Sequence, residues 1–341
     1  MVYKHQNRHH VVGGEHHKVV AALDLGTNNC RLLVAQKKGA GYRVVDAFSR
    51  VIRLGEGIYS QGMINEEAME RARSAMAACM DKVRKHNVCE VRAVATEACR
   101  SAQNGPDFVE SLARDYGIPL RIIDAKEEMQ LAVRGCGSLI RTDLDRVLLF
   151  DIGGGSTELV WLEPGRIATE GMEKAILDWV SLPVGVVGLM DQFAPDGDTD
   201  LHTAKRMLGH IRDMFGDFLD RCQLDPVLHQ APRMHLLGTS GTVTTLTGMH
   251  LGLDRYVRAR VDGTWISANI LQRLSHEIFA MDVSARRAIP SVGYERADLL
   301  VPGCAIIAGI MERFRGTRVR VADRGLREGM LQEMFAQEGG S

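Results

Sequence analysis

Two stretches of the chain repeat a pattern of residues that is suited to binding phosphate. Each has an Asp at the end of an apolar run, then an apolar residue, a Gly, a small polar turn and a second apolar run, and the copies span 23–34 and 150–161. The N–H groups of such a turn form a concave nest for phosphate oxygens. The Asp at the strand end, Asp24 or Asp151, can hold a divalent cation. The pattern therefore predicts a phosphate loop with a metal-binding carboxylate in each copy.

The second copy is the more specific of the two because its turn holds three consecutive glycines. Such a run after a buried strand costs conformational entropy, and an ordinary hairpin turn, which is the alternative, rarely needs it. Glu158 follows on the outgoing strand, where it could return a carboxylate to the same site. The residues predicted to bind phosphate in the two turns are Thr27, Asn28, Gly153, Gly154, Gly155, Ser156 and Thr157.

A third loop of small residues, 238–242, lies between a predicted strand and the start of a predicted helix. Gly238, Thr239 and Ser240 would bind an anion at the N-terminus of that helix. The same residues also fit an ordinary capped helix start. The sequence leaves both interpretations open.

Charged residues near two further predicted strands complete the candidate chemistry. Glu127 and Glu128 open a predicted helix after the strand at 120–123. Neighbouring helical positions lie about 100° apart, so the two carboxylates should have different roles. One could orient a water, or both could simply complement the helix dipole. Arg100, after the strand at 91–95, could clamp a phosphate with its forked guanidinium.

Helices alternate with short strands along the chain, which predicts an α/β fold with mixed sheets. Helical spacing predicts a long helix from Asn65 to about His86. The internal repeat indicates two copies of one fold that present their turns to a shared cleft. Apolar runs predict strands at 19–24, 31–35, 42–45, 91–95, 120–123, 147–151 and 234–237.

Composition limits the class of protein. The 341 residues suggest two domains, and the net charge of -1 shows no basic excess for a nucleic-acid partner. Aromatic residues make up only 5%, which argues against a surface on which the bases of single-stranded nucleic acid stack. No apolar run is long enough for a membrane span, and no apolar segment of a secretory signal follows Met1. Seven scattered cysteines without a C-x-x-C pair fit a reduced cytoplasmic protein.

Taken in order, these motifs resemble the exopolyphosphatase/guanosine pentaphosphatase family of the actin, sugar-kinase and heat-shock ATPase superfamily. The resemblance runs from about Val20 to Met334 and is specific as a set. It implies two duplicated actin-like (ribonuclease H-like) domains with mixed sheets and a cleft between them, in the short two-domain form. The expected parts are a disordered tail at 1–17, a first domain of 18–125 completed by a C-terminal helix at 326–337, and a second domain of 126–325. The stretches that carry the resemblance are 22–32, 95–104, 122–128, 151–158, 181–185, 238–242 and 325–329.

The resemblance also implies a reaction and its residues. A glutamate of the acidic motif, for which we favour Glu127, would activate the attacking water. Asp24, Asp151 and Glu158 would hold Mg²⁺ or another divalent cation. We expect an exopolyphosphatase that releases terminal orthophosphate from polyphosphate. The alternatives are guanosine pentaphosphate hydrolysis, non-catalytic binding of guanosine tetraphosphate, and a sugar or acetate kinase. We further expect a cytoplasmic homodimer without nucleic-acid or membrane partners.

Overall fold

The computed structural model describes residues 18–39, 41–197, 199–230, 233–290, 292 and 297–336. The predicted tail at 1–17 and residue 337 of the predicted last helix lie outside these residues. The described chain divides into two compact units. Unit 1 runs up to Gly135 and resumes at Leu326, and unit 2 is Cys136–Gly325.

The strands and helices alternate along both units. The strands are β1 (Val19–Leu25), β2 (Asn29–Lys38), β3 (Gly41–Val51), β4 (Glu90–Ala95), β5 (Leu120–Ile122), β6 (Arg146–Ile152), β7 (Thr157–Leu162), β8 (Ile176–Leu182), β9 (Met234–Thr239), β10 (Trp265–Ser267) and β11 (Arg318–Ala322). The helices are α1 (Ile58–Gln61), α2 (Glu66–Lys85), α3 (Glu97–Ser101), α4 (Gly105–Tyr116), α5 (Ala125–Cys136), α6 (Ile167–Glu170), α7 (Met172–Ala175), α8 (Val186–Phe193), α9 (Leu201–Gln223), α10 (Gly241–His250), α11 (Arg258–Val261), α12 (Ala268–Ala280), α13 (Val283–Arg287), α14 (Leu300–Arg313) and α15 (Leu326–Ala336). Each predicted strand and the predicted long helix are present, and most of their ends lie within a few residues of the expected ones, whereas β3 continues six residues beyond the predicted end at 45.

The sheet of unit 1 has the strand order β3-β2-β1-β4-β5. β1 pairs antiparallel with β2 and parallel with β4, so the sheet is mixed. Alternate residues of β1 serve two cores, as expected for a strand covered on both faces. Leu23 packs in a cluster with Met76 of α2, whereas Ala22 packs with Leu131 of α5 and Met330 of α15.

The sheet of unit 2 has the order β10-β11-β9-β6-β7-β8. β6 pairs antiparallel with β7 and parallel with β9, and β9 pairs parallel with β11. Taken from the β8 edge, the order β8-β7-β6-β9-β11 and the strand directions repeat those of β3-β2-β1-β4-β5 in unit 1. Strand β10 is an addition at the other edge. The structure thus confirms the duplicated α/β fold with mixed sheets. The cleft expected between the copies stays a prediction.

One boundary differs from the sequence-based expectation. The predicted break at 325/326 coincides with the start of α15, but the predicted break at 125/126 would separate α5 from unit 1. The helix stays with unit 1 because Leu131 is buried against α15 and the β1 face. The chain therefore leaves unit 1 at Gly135. None of the described helices is long and apolar enough to cross a membrane.

Candidate active site

The hairpin turn between β1 and β2 holds the first group of predicted site residues. Asp24 lies near the end of β1, directly opposite Arg31 of β2. Burial raises the pKa of Asp24, while the charges of Arg31 and Arg327 act in the opposite direction. A cation beside this carboxylate would offset the cost of burying its charge. Asp24 therefore has the environment of a cation ligand.

Thr27 and Asn28 form the turn itself. The Thr27 hydroxyl accepts a hydrogen bond from the Ala98 N–H at 3.2 Å, which ties the turn to the start of α3. Asn28 donates its Nδ2 to Asn29 Oδ1 at 2.9 Å, whereas its buried Oδ1 has no hydrogen-bond partner among the described residues. An unpaired amide oxygen suits a hard cation or a water bound to one. This side chain fits a cation better than it fits the oxygens of a phosphate.

Arg100 of α3 contacts two carboxylates. Its Nη1 donates to Glu128 Oε2 at 3.1 Å and to the Ile123 carbonyl at 2.7 Å. Its Nε donates to Glu97 Oε2 at 3.0 Å. Burial lowers the pKa of Arg100, but the nearby charges of Glu128 and Glu97 outweigh burial and raise it. The predicted phosphate clamp is thus already oriented, and Glu128 lies beside it.

Glu127 has a different set of partners. Arg121 binds both of its oxygens, with Nη1 donating to Oε2 at 2.7 Å and Nη2 to Oε1. Arg92 Nη2 lies 3.4 Å from the same Oε1. The hydrogen bonds from Arg121 lower the pKa of Glu127. A carboxylate held in its charged form by two guanidinium groups is a weak base. The two adjacent glutamates therefore have different partners in the structure, and the identity of the base, for which the sequence favoured Glu127, stays a prediction.

The second turn, in unit 2, places two predicted carboxylates side by side. Asp151 of β6 is the direct cross-strand partner of Glu158 of β7, so both lie on one face of the sheet. Glu158 is only 3% exposed, and its Oε1 accepts a hydrogen bond from the Ser181 hydroxyl at 2.8 Å. Ser181 belongs to a motif to which the sequence assigned no role. In the structure it orients Glu158.

The glycine run packs against the start of α8. The Gly153 and Gly154 carbonyls accept hydrogen bonds from the first two N–H groups of that helix at 3.1 and 2.8 Å. A Cβ atom added at Gly185 would lie 2.4 Å from the Gly154 carbonyl carbon. The close approach of two backbones thus explains glycine here. Thr157 donates its hydroxyl proton to the Val184 carbonyl at 2.7 Å, so this hydroxyl braces the turn instead of donating to phosphate.

The third loop combines packing with helix capping. A Cβ atom added at Gly238 would lie 2.4 Å from a phenylalanine ring of β6, so this glycine is required by packing. Ser240 caps α10 by accepting the N–H three residues further on at 2.9 Å. Of the two interpretations, the capped helix start is therefore present in the structure. Thr239 is paired with Asp151 on the adjacent strand, which brings this loop next to the glycine-rich turn.

The first residues of α15 contribute to the unit 1 site, although the sequence gave them no function. The charge of Arg327 acts on Asp24, as noted above, and Glu328 is 6% exposed in the same region. A Cβ atom added at Gly329 would lie 2.1 Å from the Leu131 carbonyl oxygen. This glycine lets α15 pack closely against α5, which carries Glu128. The signal in the sequence was the Gly-rich spacing of 325–329.

The predicted metal ligands are divided between the units. Asp24 belongs to unit 1, and Asp151 and Glu158 belong to unit 2. Within the described part of the chain, no group of three or more His, Cys, Asp and Glu side chains is arranged to hold a metal ion. The donors that are present are oxygens, which suit Mg²⁺ better than a softer metal.

Comparison with known proteins identifies the family. The model of the Ppx/GppA phosphatase family matches residues 33–338. The chain belongs to this family. The Haemophilus influenzae protein named "Putative exopolyphosphatase" is 26% identical over 318 residues, covering 92% of this chain and 91% of that protein. The crystal structure of the Aquifex aeolicus Ppx/GppA family member is 25% identical, with a TM-score of 0.75 over 95% of this chain and 99% of that one.

Other solved structures agree with this assignment. An exopolyphosphatase-like protein is 25% identical, with a TM-score of 0.80 and coverage of 95% of this chain and 99% of that one. A Cytophaga hutchinsonii exopolyphosphatase has the same fold, with 24% identity, a TM-score of 0.80 and coverage of 94% and 98%. Membership of the Ppx/GppA family makes this chain a hydrolase that acts on phosphoric anhydrides, as predicted.

Proposed function

We propose that this Ppx/GppA protein is an exopolyphosphatase that releases terminal orthophosphate from inorganic polyphosphate. The observation that carries the proposal is the contact between Arg100 and Glu128, a phosphate clamp and a carboxylate 3.1 Å apart. Both side chains belong to the unit whose first turn holds Asp24 and Thr27. The names of the relatives, several of which are called exopolyphosphatases, support polyphosphate as the substrate.

Glu128 is the proposed general base. Its side chain is 15% exposed, so a water beside it would be partly shielded from bulk solvent. Arg100 holds Glu97 with two of its nitrogens and Glu128 with the third. A terminal phosphate would compete for that third nitrogen. The competition would loosen the hold on Glu128 and leave its oxygen free to accept the proton of the attacking water.

Mg²⁺ is the proposed cofactor. The proposed ligands are considered for each unit by itself: Asp24 and the buried Asn28 Oδ1, which has no hydrogen-bond partner in the described chain, in unit 1, and the cross-strand pair Asp151 and Glu158 in unit 2. When bound, the cation would neutralise the charge of the phosphoryl oxygens. The glycine-rich turn and Arg100 would supply the remaining donors for a polyanion, which explains how a chain of net charge -1 could bind one.

The decisive experiment compares two neighbouring isosteric variants. We expect Glu128→Gln to lose about 10²–10⁴-fold in phosphate release, because general-base catalysis is worth that much, while it still binds polyphosphate. Glu127→Gln should stay within about tenfold of wild type, since it removes a charge from an ion pair and not the base. If Glu127→Gln were inactive and Glu128→Gln active, the role of general base would pass to Glu127.

Substrate preference is tested in the same assay. Phosphate release is compared for long polyphosphate, short polyphosphate and guanosine pentaphosphate with Mg²⁺ and with chelator. Faster release from guanosine pentaphosphate would assign the nucleotide as the substrate instead. Binding of guanosine tetraphosphate without any release of phosphate would indicate a regulator, and no release from any of the three substrates would refute the proposed function.

A homodimer stays a prediction for light scattering to test. The seven free thiols support a reducing cytoplasmic location.

A further inference from the structure

The turn at Thr27 and Asn28 rests on a short backbone segment, residues 52–56, which we call the platform. The N–H groups of its first two residues both donate to the Asn28 carbonyl, at 2.8 and 3.1 Å. The N–H of Gly55 donates to the Thr27 carbonyl at 2.9 Å. Three N–H groups of the platform therefore fix both carbonyls of the turn.

The shape of the platform depends on an unusual residue. Consecutive N–H groups converge on one acceptor in a nest that includes a left-handed residue. Arg53 has φ 47°, in the left-handed region that residues other than glycine rarely adopt. The residues on either side, Ile52 and Leu54, are fully buried. Such a conformation persists only where its surroundings hold it.

Helix α2 supplies that support from the other side of the platform. Arg71 Nε donates to the Ile52 carbonyl at 2.8 Å, and its Nη2 lies 3.5 Å from the Arg53 carbonyl. The same Nη2 donates to the Glu56 carboxylate at 2.9 Å. Asn65, which caps α2, donates its Nδ2 to the Glu56 carbonyl at 3.2 Å. The two residues whose N–H groups hold Asn28 thus have their carbonyls held by Arg71.

We propose that Arg71 is a positioning residue for the phosphate turn. By fixing the carbonyls of Ile52 and Arg53, it keeps their N–H groups aligned on Asn28. The inference rests on the proposed function and on the sequence-based prediction that the backbone of that turn binds phosphate. Because the proposed base lies on α5, outside this turn, loss of Arg71 should weaken substrate binding more than the chemical step.

The test compares matched substitutions on α2. Arg71→Met keeps the apolar stem and removes the three donor contacts. Arg73→Met is the control, because Arg73 lies on the same helix and is similarly exposed. Its ion pair is with Glu66, at 2.9 Å, and does not involve the platform. Glu56→Gln removes the surface ion pair while leaving the carbonyl contacts of Arg71 in place.

We expect Arg71→Met to raise KM for polyphosphate about tenfold, equivalent to about 1.4 kcal/mol, with kcat within about twofold. Its calorimetric affinity for tripolyphosphate should fall by a similar factor. Arg73→Met and Glu56→Gln should leave both quantities within about twofold of wild type. Equal kinetics for Arg71→Met and Arg73→Met, or a loss confined to kcat, would overturn the proposal.

The outcomes separate this inference from the proposed function. If the wild type binds tripolyphosphate but releases no phosphate, the function fails and the affinities of Arg71→Met and Arg73→Met still decide the inference. If the wild type binds no tripolyphosphate, both fail. Should Arg71→Met not fold, Arg71→Lys keeps the charge without the fork. A folded Arg71→Lys with raised KM supports the proposal, and one with unchanged KM overturns it.

Discussion

Substitution of Gly185 by alanine tests whether the glycine-rich turn needs its close packing. The added Cβ atom would lie 2.4 Å from the Gly154 carbonyl carbon and 2.5 Å from the next amide nitrogen. Gly185 has φ -139°, a conformation that alanine adopts freely, so the contact is the only source of strain. Relief to an ordinary contact distance requires the turn and α8 to separate by about 1 Å.

A displacement of that size at a reacting site can cost about 10²-fold in rate. We therefore expect Gly185→Ala to lose about 10²-fold in kcat/KM for polyphosphate, and overpacking to lower the free energy of unfolding by about 1–3 kcal/mol. The assays are phosphate release with Mg²⁺ and urea unfolding at pH 7. Gly188→Ala is the matched control, since Gly188 lies within α8, the helix that Gly185 precedes, and an added Cβ atom there has no neighbour within 4 Å.

The control separates local clash from general damage to α8. Gly188→Ala should keep full activity and gain about 0.5–1 kcal/mol, because alanine restricts the unfolded chain more than glycine does. Normal activity in Gly185→Ala, or equal losses in both variants, would refute the reasoning.

Two further predictions concern the stability of unit 1. Lys82 and His86 lower the pKa of Asp46 to about 2. The charged form of Asp46 therefore contributes stability at neutral pH, and this contribution is lost as pH falls from about 4 to 2. Unfolding curves should show that Asp46→Asn is about 1 kcal/mol less stable than wild type at pH 7, after allowance for screening, and equally stable near pH 2. A difference in the free energy of unfolding that persists at pH 2 would contradict the prediction. Arg53→Gly should keep the free energy of unfolding within about 0.5 kcal/mol of wild type, because glycine tolerates positive φ. Arg53→Pro should lose about 2 kcal/mol or more, because proline lacks the N–H that donates to the Asn28 carbonyl. Similar melting curves for the two variants would argue against the platform.

The fold was largely predictable because its strands are marked locally. An apolar run that ends in Asp, an apolar residue and Gly predicts a strand followed by a tight turn, and both copies form antiparallel hairpins. The repeat of this pattern predicted the duplication of the sheet. The boundary at Gly135 was not predictable, because it depends on the packing of Leu131 against Gly329, residues far apart in the chain.

The candidate site was predictable in its residue types and only partly in its roles. Asp151, Glu158 and Thr239 lie on adjacent strand ends, where the pattern predicted them. The Thr157 hydroxyl, by contrast, braces a neighbouring carbonyl. Such details follow from partners that are distant in sequence, and Arg71 under the first turn is another that no local pattern indicates.

The sequence by itself determined that this protein handles phosphate, because glycine-rich turns beside carboxylates are a local property of the chain. Only the tertiary structure distinguishes the surroundings of Glu127 from those of Glu128. The two are adjacent and chemically identical, so no pattern of residue types distinguishes them. Their surroundings differ because Arg121 and Arg92 bind Glu127, whereas Arg100 binds Glu128. A carboxylate's basicity depends on the charges within a few ångströms, and folding alone brings those charges together.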